Sequence, residues 1–127
     1  MDKYPNFLII GSPKAGPTSL FNYLSRHPDI SFATQKEPKY FSFKYFSLDF
    51  KGNSTVLNQI RRSTIQNYDD YQKIFRETDT KFIGESTPDY LHFNPAAKHI
   101  YEFNAFLSFK YDIKKINGFK YCTCIDL

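Results

Sequence analysis

Residues 7–20, Phe-Leu-Ile-Ile-Gly-Ser-Pro-Lys-Ala-Gly-Pro-Thr-Ser-Leu, are the most informative stretch of the chain. The stretch opens on four consecutive apolar residues, which predict a buried β-strand. Apolar residues at helical spacing begin at Leu20, and Gly11 and Gly16 between the two elements allow the backbone to approach a ligand closely. In such a strand, loop and helix N-terminus, backbone N–H groups and the helix dipole hold a phosphate. The stretch therefore predicts a phosphate-binding loop.

The position of the lysine narrows the class of phosphate site. Gly11 and Gly16 match the G-x-x-x-x-G frame of a nucleotide P-loop, but Pro17 stands where that motif has its lysine. A P-loop kinase needs the missing Gly-Lys-Ser/Thr for the γ-phosphate and Mg²⁺, so a kinase is disfavoured. Lys14 lies inside the loop instead and can bring a full charge to the phosphate. From this stretch alone, a different phosphate binder and an ordinary strand–turn–helix with an incidental lysine stay open.

Length and composition bound the remaining classes of function. The 127 residues suffice for one small domain, and the net charge of +4 suits an anionic ligand but is too weak to indicate nucleic acid. No apolar run reaches transmembrane length and the N-terminus lacks a signal-peptide pattern, so we expect a cytoplasmic protein without a membrane partner. Cys122 and Cys124 are too close for an easy disulfide and lack partners for zinc, so we expect incidental thiols and no metal.

Predicted strands and helices alternate along the chain. Apolar runs and turn residues predict three strands, four helices and one basic loop with a short helical or extended piece; the strands are 7–10, 30–33 and 81–85, the helices are 18–26, 55–62, 68–76 and 95–103, and the loop is 36–46. A further strand is predicted at 106–113, and the residues after it show no clear periodicity. The alternation indicates an α/β fold with a parallel sheet.

Two polar segments follow the second and third predicted strands. Residues 36–41 are Lys-Glu-Pro-Lys-Tyr-Phe, and residues 84–91 are Gly-Glu-Ser-Thr-Pro-Asp-Tyr-Leu. The carboxyl ends of parallel strands are where α/β sheets usually bind ligands. The lysines on either side of Glu37 favour its ionised form, which makes it a weak base unless burial opposes them. On composition alone, the first segment also fits a solvated charged loop and the second an ordinary turn.

The three segments together resemble one enzyme family. Residues 13–20 are similar to the 5′-phosphosulfate-binding loop of sulfotransferases, which use 3′-phosphoadenosine 5′-phosphosulfate (PAPS). Residues 36–41 resemble the segment with the catalytic glutamate in heparan-sulfate-type and bacterial sulfotransferases, and residues 84–91 resemble the turn that borders the acceptor cleft. The segments occur in family order. The resemblance implies a P-loop-type three-layer α/β fold with a parallel sheet, incomplete at the C-terminal side.

The resemblance also assigns roles to residues. The set in contact with the 5′-phosphate of PAPS or of adenosine 3′,5′-bisphosphate would be Lys14, Ala15, Gly16, Pro17, Thr18 and Ser19. Lys14 would neutralise the charge that grows on the leaving phosphate, and Glu37 would take a proton from a hydroxyl or amine acceptor, carbohydrates included. No metal is required. We expect Lys14 and Glu37 to face one cleft within about 10 Å, because both are predicted to follow neighbouring parallel strands.

Departures from the family pattern predict weak or absent turnover. Residues 1–104 match the N-terminal portion of a sulfotransferase domain, whereas residues 105–127 form a divergent tail, as truncation or a reading-frame change would produce. Pro17 lacks the N–H and the hydroxyl of the threonine usual at its position. No arginine follows Arg76 and Ser108 is the only serine of the tail, so the family's 3′-phosphate grip has no counterpart. A non-catalytic remnant or a phosphonucleotide-binding fragment is therefore the alternative function.

Overall fold

A computed structural model describes the backbone of residues 3–49, 51–111 and 120–123, and the side chains as far as Phe103. The described residues form four strands and five α-helices, with one 3₁₀ helix after the third strand. In chain order these elements are β1 (Phe7–Gly11), α1 (Pro17–Leu24), β2 (Ile30–Phe32), α2 (Tyr40–Phe43), α3 (Thr55–Ser63), α4 (Tyr68–Lys73), β3 (Phe82–Ser86), the 3₁₀ helix (Pro88–Leu91), α5 (Asn94–Tyr111) and β4 (Lys120–Thr123).

The four strands form one parallel sheet in the order β2-β3-β1-β4. Phe7 of β1 lies opposite Gly84 of β3, and Ile30 of β2 lies opposite Phe82 at the other side of β3. Because all strands point the same way, their carboxyl ends share one edge of the sheet. The segments that follow β1, β2 and β3 therefore start side by side, which is the arrangement that builds ligand sites in α/β proteins.

The two faces of the sheet are packed differently. Leu8 belongs to the buried core between the sheet and the later helices, where Tyr40, Tyr71 and Phe103 contribute aromatic rings. The rings of Tyr40 and Tyr71 stack with their centroids 4.1 Å apart. This cluster fixes α2, and with it the end of the loop that carries Glu37.

On the other face, the ring of Phe32 contacts the rings of Phe7 and Phe21, with centroids 5.4 and 4.4 Å away. A Cβ on Gly84 would lie 2.4 Å from the Phe7 ring, so a side chain there would collide with this packing. Gly84 therefore lets α1, which carries Phe21, approach the sheet.

The predicted α/β architecture and parallel sheet are confirmed. β1, β2 and β3 and the helices α1, α3 and α4 lie where predicted, with ends that differ by a few residues. The helix predicted at 68–76 ends at Lys73, because the chain continues in i→i+3 turns, with the N–H of Phe75 bonded to Gln72 and the N–H of Arg76 bonded to Lys73. Within the loop predicted at 36–46, the short structured piece is the helix α2.

The predicted strand at 106–113 is wrong as far as Tyr111. The chain is helical from Asn94 to Tyr111, well past the predicted end of this helix at 103. The Phe- and Leu-rich sequence favours a strand locally, but extending an existing helix adds one hydrogen bond per residue, and no Pro or Gly interrupts it after Pro95. The boundary at 104 thus falls inside α5. Residues 112 and 113 lie outside the described residues.

The strand β4 was not predicted. It is four residues long, and its sequence, Lys-Tyr-Cys-Thr, shows neither clear alternation nor a strong apolar run. It pairs with β1 on the side away from β3, with Cys122 opposite Ile9. The chain therefore covers the second edge of β1. Cys124 lies outside the described residues. Among the described helices, none has the length and hydrophobicity that spanning a bilayer requires.

Candidate functional site

The loop between β1 and α1 has the geometry of an anion cradle. Gly11 has φ +142°, and a Cβ there would lie 2.7 Å from the backbone oxygen of Pro88, so only glycine fits. Gly16 occupies the N-cap of α1 with φ +87°, and a Cβ on it would meet nothing within 4 Å. No side chain caps α1, so the N–H groups of Thr18 and Ser19 in its first turn are donors available to a ligand.

The side chains of this loop divide between solvent and interior. Lys14, Thr18 and Ser19 are exposed, whereas Pro17 is buried at the first position of α1. Lys14 has φ +64°, a left-handed conformation that is unfavourable for a residue with a Cβ and that persists at functional sites. The loop closes on itself through a hydrogen bond of 3.1 Å from the Ala15 N–H to the Ser12 carbonyl.

Hydrogen bonds tie the segments after β2 and β3 to the neighbouring strand of the sheet. The Thr87 N–H, just after β3, donates to the carbonyl of Ile9 in β1 over 3.0 Å. The Glu37 N–H donates to the carbonyl of Ser86 at the end of β3 over 3.1 Å. The structure thus brings the three sequence segments to one edge of the sheet.

The 3₁₀ helix is also tied to the phosphate loop. Ser12 Oγ at the start of that loop lies 3.3 Å from His92 Nε2, one residue beyond the 3₁₀ helix. This contact gives His92 a place beside the loop that the sequence did not indicate.

Lys14 and Glu37 do not follow neighbouring strands, contrary to the prediction from the sequence. They follow β1 and β2, which are not neighbours, because β3 lies between them. Glu37 nevertheless stays at the shared edge, since its N–H is hydrogen-bonded to the end of β3. That Lys14 and Glu37 face one cleft within about 10 Å stays a prediction.

Glu37 belongs to a cluster of three charged groups. Glu37 Oε2 lies 3.6 Å from Nζ of Lys39, and the same Nζ forms an ion pair with Asp89 of the 3₁₀ helix. Glu37 and Lys39 both have left-handed backbone, with φ +51° and +54°. Within the described residues, Lys14 is the one other non-glycine residue with positive φ. The unusual backbone of the chain is therefore concentrated in the two segments that were predicted to carry the chemistry.

A cleft of about 360 Å³ opens beside Glu37. Its walls are the charged loop after β2 and one face of α3, and its lining residues are Lys36, Glu37, Lys39, Val56, Gln59, Ile60 and Ser63. The amide of Gln35 donates to the carbonyl of Ser63 and holds the two walls together. The cleft combines apolar surface with lysine, carboxylate and amide groups, as binding sites for polar organic molecules do.

Glu85, beneath the site, is a buried carboxyl group whose environment the sequence did not reveal. It accepts hydrogen bonds from the hydroxyl groups of Tyr71 (2.8 Å), Tyr90 (3.0 Å) and Thr87 (2.6 Å). Burial raises the pKa of Glu85 to about 7, although the three hydroxyl donors act in the opposite direction. The group links β3, α4 and the 3₁₀ helix. The only feature of the sequence that could have indicated this environment is a glutamate at an inward-facing position of a strand.

Comparison with known proteins identifies the family. No family model matches the chain. It is 35% identical over 91 residues to the membrane-associated sulfotransferase kil1 of Dictyostelium discoideum, covering 72% of this chain and 16% of that protein. It is 43% identical over 44 residues to carbohydrate sulfotransferase 15 of Homo sapiens, covering 35% of this chain and 8% of that protein.

The fold has a solved relative as well. The crystal structure of a sulfotransferase from Alicyclobacillus acidocaldarius matches with a TM-score of 0.70 and 33% identity, over 80% of this chain and 40% of that one. The chain belongs to the sulfotransferase family, as the resemblance of its three segments implied. It spans less than half the length of each of these relatives.

Proposed function

We propose that this chain binds PAPS and transfers its sulfonate group to a hydroxyl or amine acceptor. Sulfonate transfer in general is what its relatives are named for. The observation that supports the proposal is that the three segments meet at one edge of the sheet. Backbone hydrogen bonds join the Glu37 segment to the end of β3 and the turn after β3 to β1, and Ser12 of the phosphate loop contacts His92 beyond that turn. PAPS bound to the phosphate loop and an acceptor molecule beside Glu37 would meet at this edge of the sheet.

The phosphate loop fits the 5′ end of such a donor. Its open N-cap at Gly16 leaves room for a phosphate above the first turn of α1, and the exposed side chains of Thr18 and Ser19 supply hydroxyl donors. The ammonium of Lys14 would lie against the phosphate oxygen that gains charge as the sulfonate leaves. These residues bind and stabilise without a metal ion in the scheme.

Glu37 would act as the general base. As the acceptor oxygen forms its bond to sulfur, the bond between sulfur and the bridging phosphate oxygen breaks, and Glu37 takes the proton of the acceptor hydroxyl. The electron pair of the broken bond stays on the phosphate, where Lys14 and the N–H groups of the loop hold it. The products are a sulfate ester and adenosine 3′,5′-bisphosphate.

The cleft beside Glu37 would receive the acceptor. A carbohydrate is a suitable class, because one relative is a carbohydrate sulfotransferase and the cleft offers the Gln59 amide and the exposed Lys36 ammonium beside apolar surface. Phenol and amine acceptors belong in the same test.

Transfer of labelled sulfonate from PAPS to a panel of sugar, phenol and amine acceptors tests the proposal. We expect slow turnover that is lost in the Glu37→Gln variant, together with binding of adenosine 3′,5′-bisphosphate in preference to ATP with Mg²⁺. ATP preference would point to a kinase-like P-loop and would contradict the proposal.

The second candidate is a phosphonucleotide-binding protein without turnover. It is favoured by Pro17, whose missing N–H removes one charge-assisted hydrogen bond at the start of α1. Such a loss costs about 1.5–3 kcal/mol, or roughly 10- to 100-fold in donor affinity. Binding of adenosine 3′,5′-bisphosphate without detectable transfer to any acceptor would select this candidate.

A further inference from the structure

Lys39 is a buried ammonium group between two more exposed carboxylates. Its side chain is 11% exposed, whereas those of Glu37 and Asp89 are 45% and 53% exposed. A lysine this deeply buried is stable only when its charge is paired. Of the three groups, the ammonium therefore has the least freedom, and the two carboxylates are the partners that it holds.

The backbone on both sides of Lys39 is anchored in the fold. The carbonyl of Lys39 accepts the N–H groups of Ser42 and Phe43 over 3.1 Å and so starts α2. The carbonyl of the buried residue Pro38 accepts the N–H of Ile65 over 2.9 Å. The ammonium thus extends from a fixed point, while Glu37 lies two residues earlier in an unfavourable left-handed conformation that its surroundings must maintain.

Lys39 also connects two of the segments that meet at this edge of the sheet. Its ion pair with Asp89 ties the loop after β2 to the 3₁₀ helix after β3, and that 3₁₀ helix packs against the start of the phosphate loop. Without the ammonium, Glu37 and Asp89 would be two like charges facing one space, and repulsion would turn the Glu37 carboxylate toward solvent.

We infer that Lys39 is a positioning residue, which holds the Glu37 carboxylate at the edge of the cleft and keeps the acceptor-side loop in register with the phosphate loop. The inference rests on the proposed function, since Glu37 is the base of that scheme. Lys39 acts through Glu37 and is assigned no contact with the donor or the acceptor.

The test compares Lys39→Met and Lys39→Arg with the unmodified chain. Lys39→Met keeps the length and apolar stem but removes the charge, and Lys39→Arg keeps the charge. We expect Lys39→Met to lower kcat about 10- to 100-fold, because a misplaced base loses near-attack geometry. The dissociation constant of adenosine 3′,5′-bisphosphate, measured by calorimetry, stays within about twofold, and Lys39→Arg restores most of kcat. An unchanged kcat in a folded Lys39→Met protein would overturn the inference and leave the proposed function intact.

A matched control is Lys73→Met. Lys73 is an exposed lysine that is ion-paired with Asp70 on α4, away from the cleft. Loss of this pair is expected to leave kcat unchanged. A fall in kcat equal to that of Lys39→Met would show a general effect of losing one cation and would overturn the positioning role.

Amide hydrogen exchange gives a readout that does not need turnover. The N–H of Glu37, bonded to Ser86, should lose protection by about tenfold in Lys39→Met, while the N–H of Thr87, bonded to Ile9, keeps it. Equal protection of Glu37 in both proteins would overturn the inference. Absence of turnover in the unmodified chain would overturn the proposed function alone, because the exchange experiment still decides whether Lys39 holds Glu37.

Discussion

The phosphate loop and the Glu37 segment lie at the same edge of the sheet but are held in opposite ways. The loop is exposed at Lys14 and Gly16, and it is shaped by its backbone conformation, by the hydrogen bond from Ala15 to Ser12 and by the contact of Ser12 with His92. In the Glu37 segment, the four residues from Pro38 to Phe41 are buried. A phosphate is bound mainly by backbone N–H groups, which tolerate many side chains. A general base requires one carboxylate in a fixed position. In this chain, the packing of the residues after Glu37 provides that position.

The largest expected effect is on kcat, and it should come from the Glu37 segment without any change in the nucleotide affinity of the phosphate loop. Glu37→Gln removes the proton acceptor but keeps the shape, so we expect kcat to fall by about 10²-fold or more. Calorimetry should give the same affinity for adenosine 3′,5′-bisphosphate as in the unmodified chain, because the phosphate loop is untouched. Turnover that survives this substitution would remove Glu37 from the mechanism.

The two regions should also differ in how much their side chains contribute to the free energy of unfolding. Phe41 is fully buried, with ring centroids of Tyr71, Tyr90 and Phe103 between 5.3 and 5.6 Å away. Phe41→Ala should lower the free energy of unfolding by about 3–5 kcal/mol, because it leaves a cavity behind the Glu37 segment. Denaturant unfolding checks this value.

The matched variant at the loop is Lys14→Ala. The Lys14 side chain is exposed, so we expect the free energy of unfolding to change by no more than about 0.5 kcal/mol. Similar losses for Phe41→Ala and Lys14→Ala would contradict the contrast between a packed and a backbone-shaped region.

Glu85 makes the support beneath both regions sensitive to pH. Burial raises its pKa from 4.5 to about 7, so the folded state holds this proton more tightly than the unfolded state. The group's contribution to stability is therefore full below about pH 4.5 and is lost as the pH rises toward 7, by about 3 kcal/mol in total.

Glu85→Gln should remove this contribution while keeping the size of the side chain. We expect the stability of the unmodified chain relative to Glu85→Gln to decline between pH 4.5 and 7, measured by denaturant unfolding at several pH values. Parallel pH profiles for the two proteins would show that Glu85 does not titrate in this window.

Sequence reasoning succeeded where short-range patterns govern structure. The apolar run before Gly11 and the helix spacing after it specified β1, the loop and α1, because turn chemistry and periodicity act over a few residues. The Lys-Glu-Pro pattern was predicted to follow the second strand, and Glu37 lies in the loop after β2, where its catalytic role stays a prediction. The ion pair between Lys39 and Asp89 was not predictable, since fifty residues separate the partners and only the pairing of β2 with β3 brings them together.

Local sequence patterns failed where structure depends on longer segments or on tertiary packing. Local preference in residues 106–111 favoured a strand, but propagation of α5 from Asn94 determined their conformation. Glu85 was predicted only as a strand residue, because its partners Tyr71 and Tyr90 come from two other elements. Side-chain environments of this kind depend on tertiary packing, which periodicity does not encode.

Substitutions of Pro17 test whether the phosphate loop binds phosphate through its backbone alone. Pro17→Ala restores an N–H at the first position of α1 without adding a polar side chain, so adenosine 3′,5′-bisphosphate should bind roughly 10- to 100-fold more tightly. Pro17→Thr should gain about as much and no more, because the residue at this position is buried and its hydroxyl would face the interior. The matched control is Pro95→Ala, which restores an N–H in the first turn of α5, outside the phosphate loop. Calorimetry on folded proteins decides the matter: equal affinity for Pro17→Ala and the unmodified chain would mean that the start of α1 does not hold the phosphate, whereas a clear advantage of threonine over alanine would mean that a side chain, and not the backbone, makes the contact.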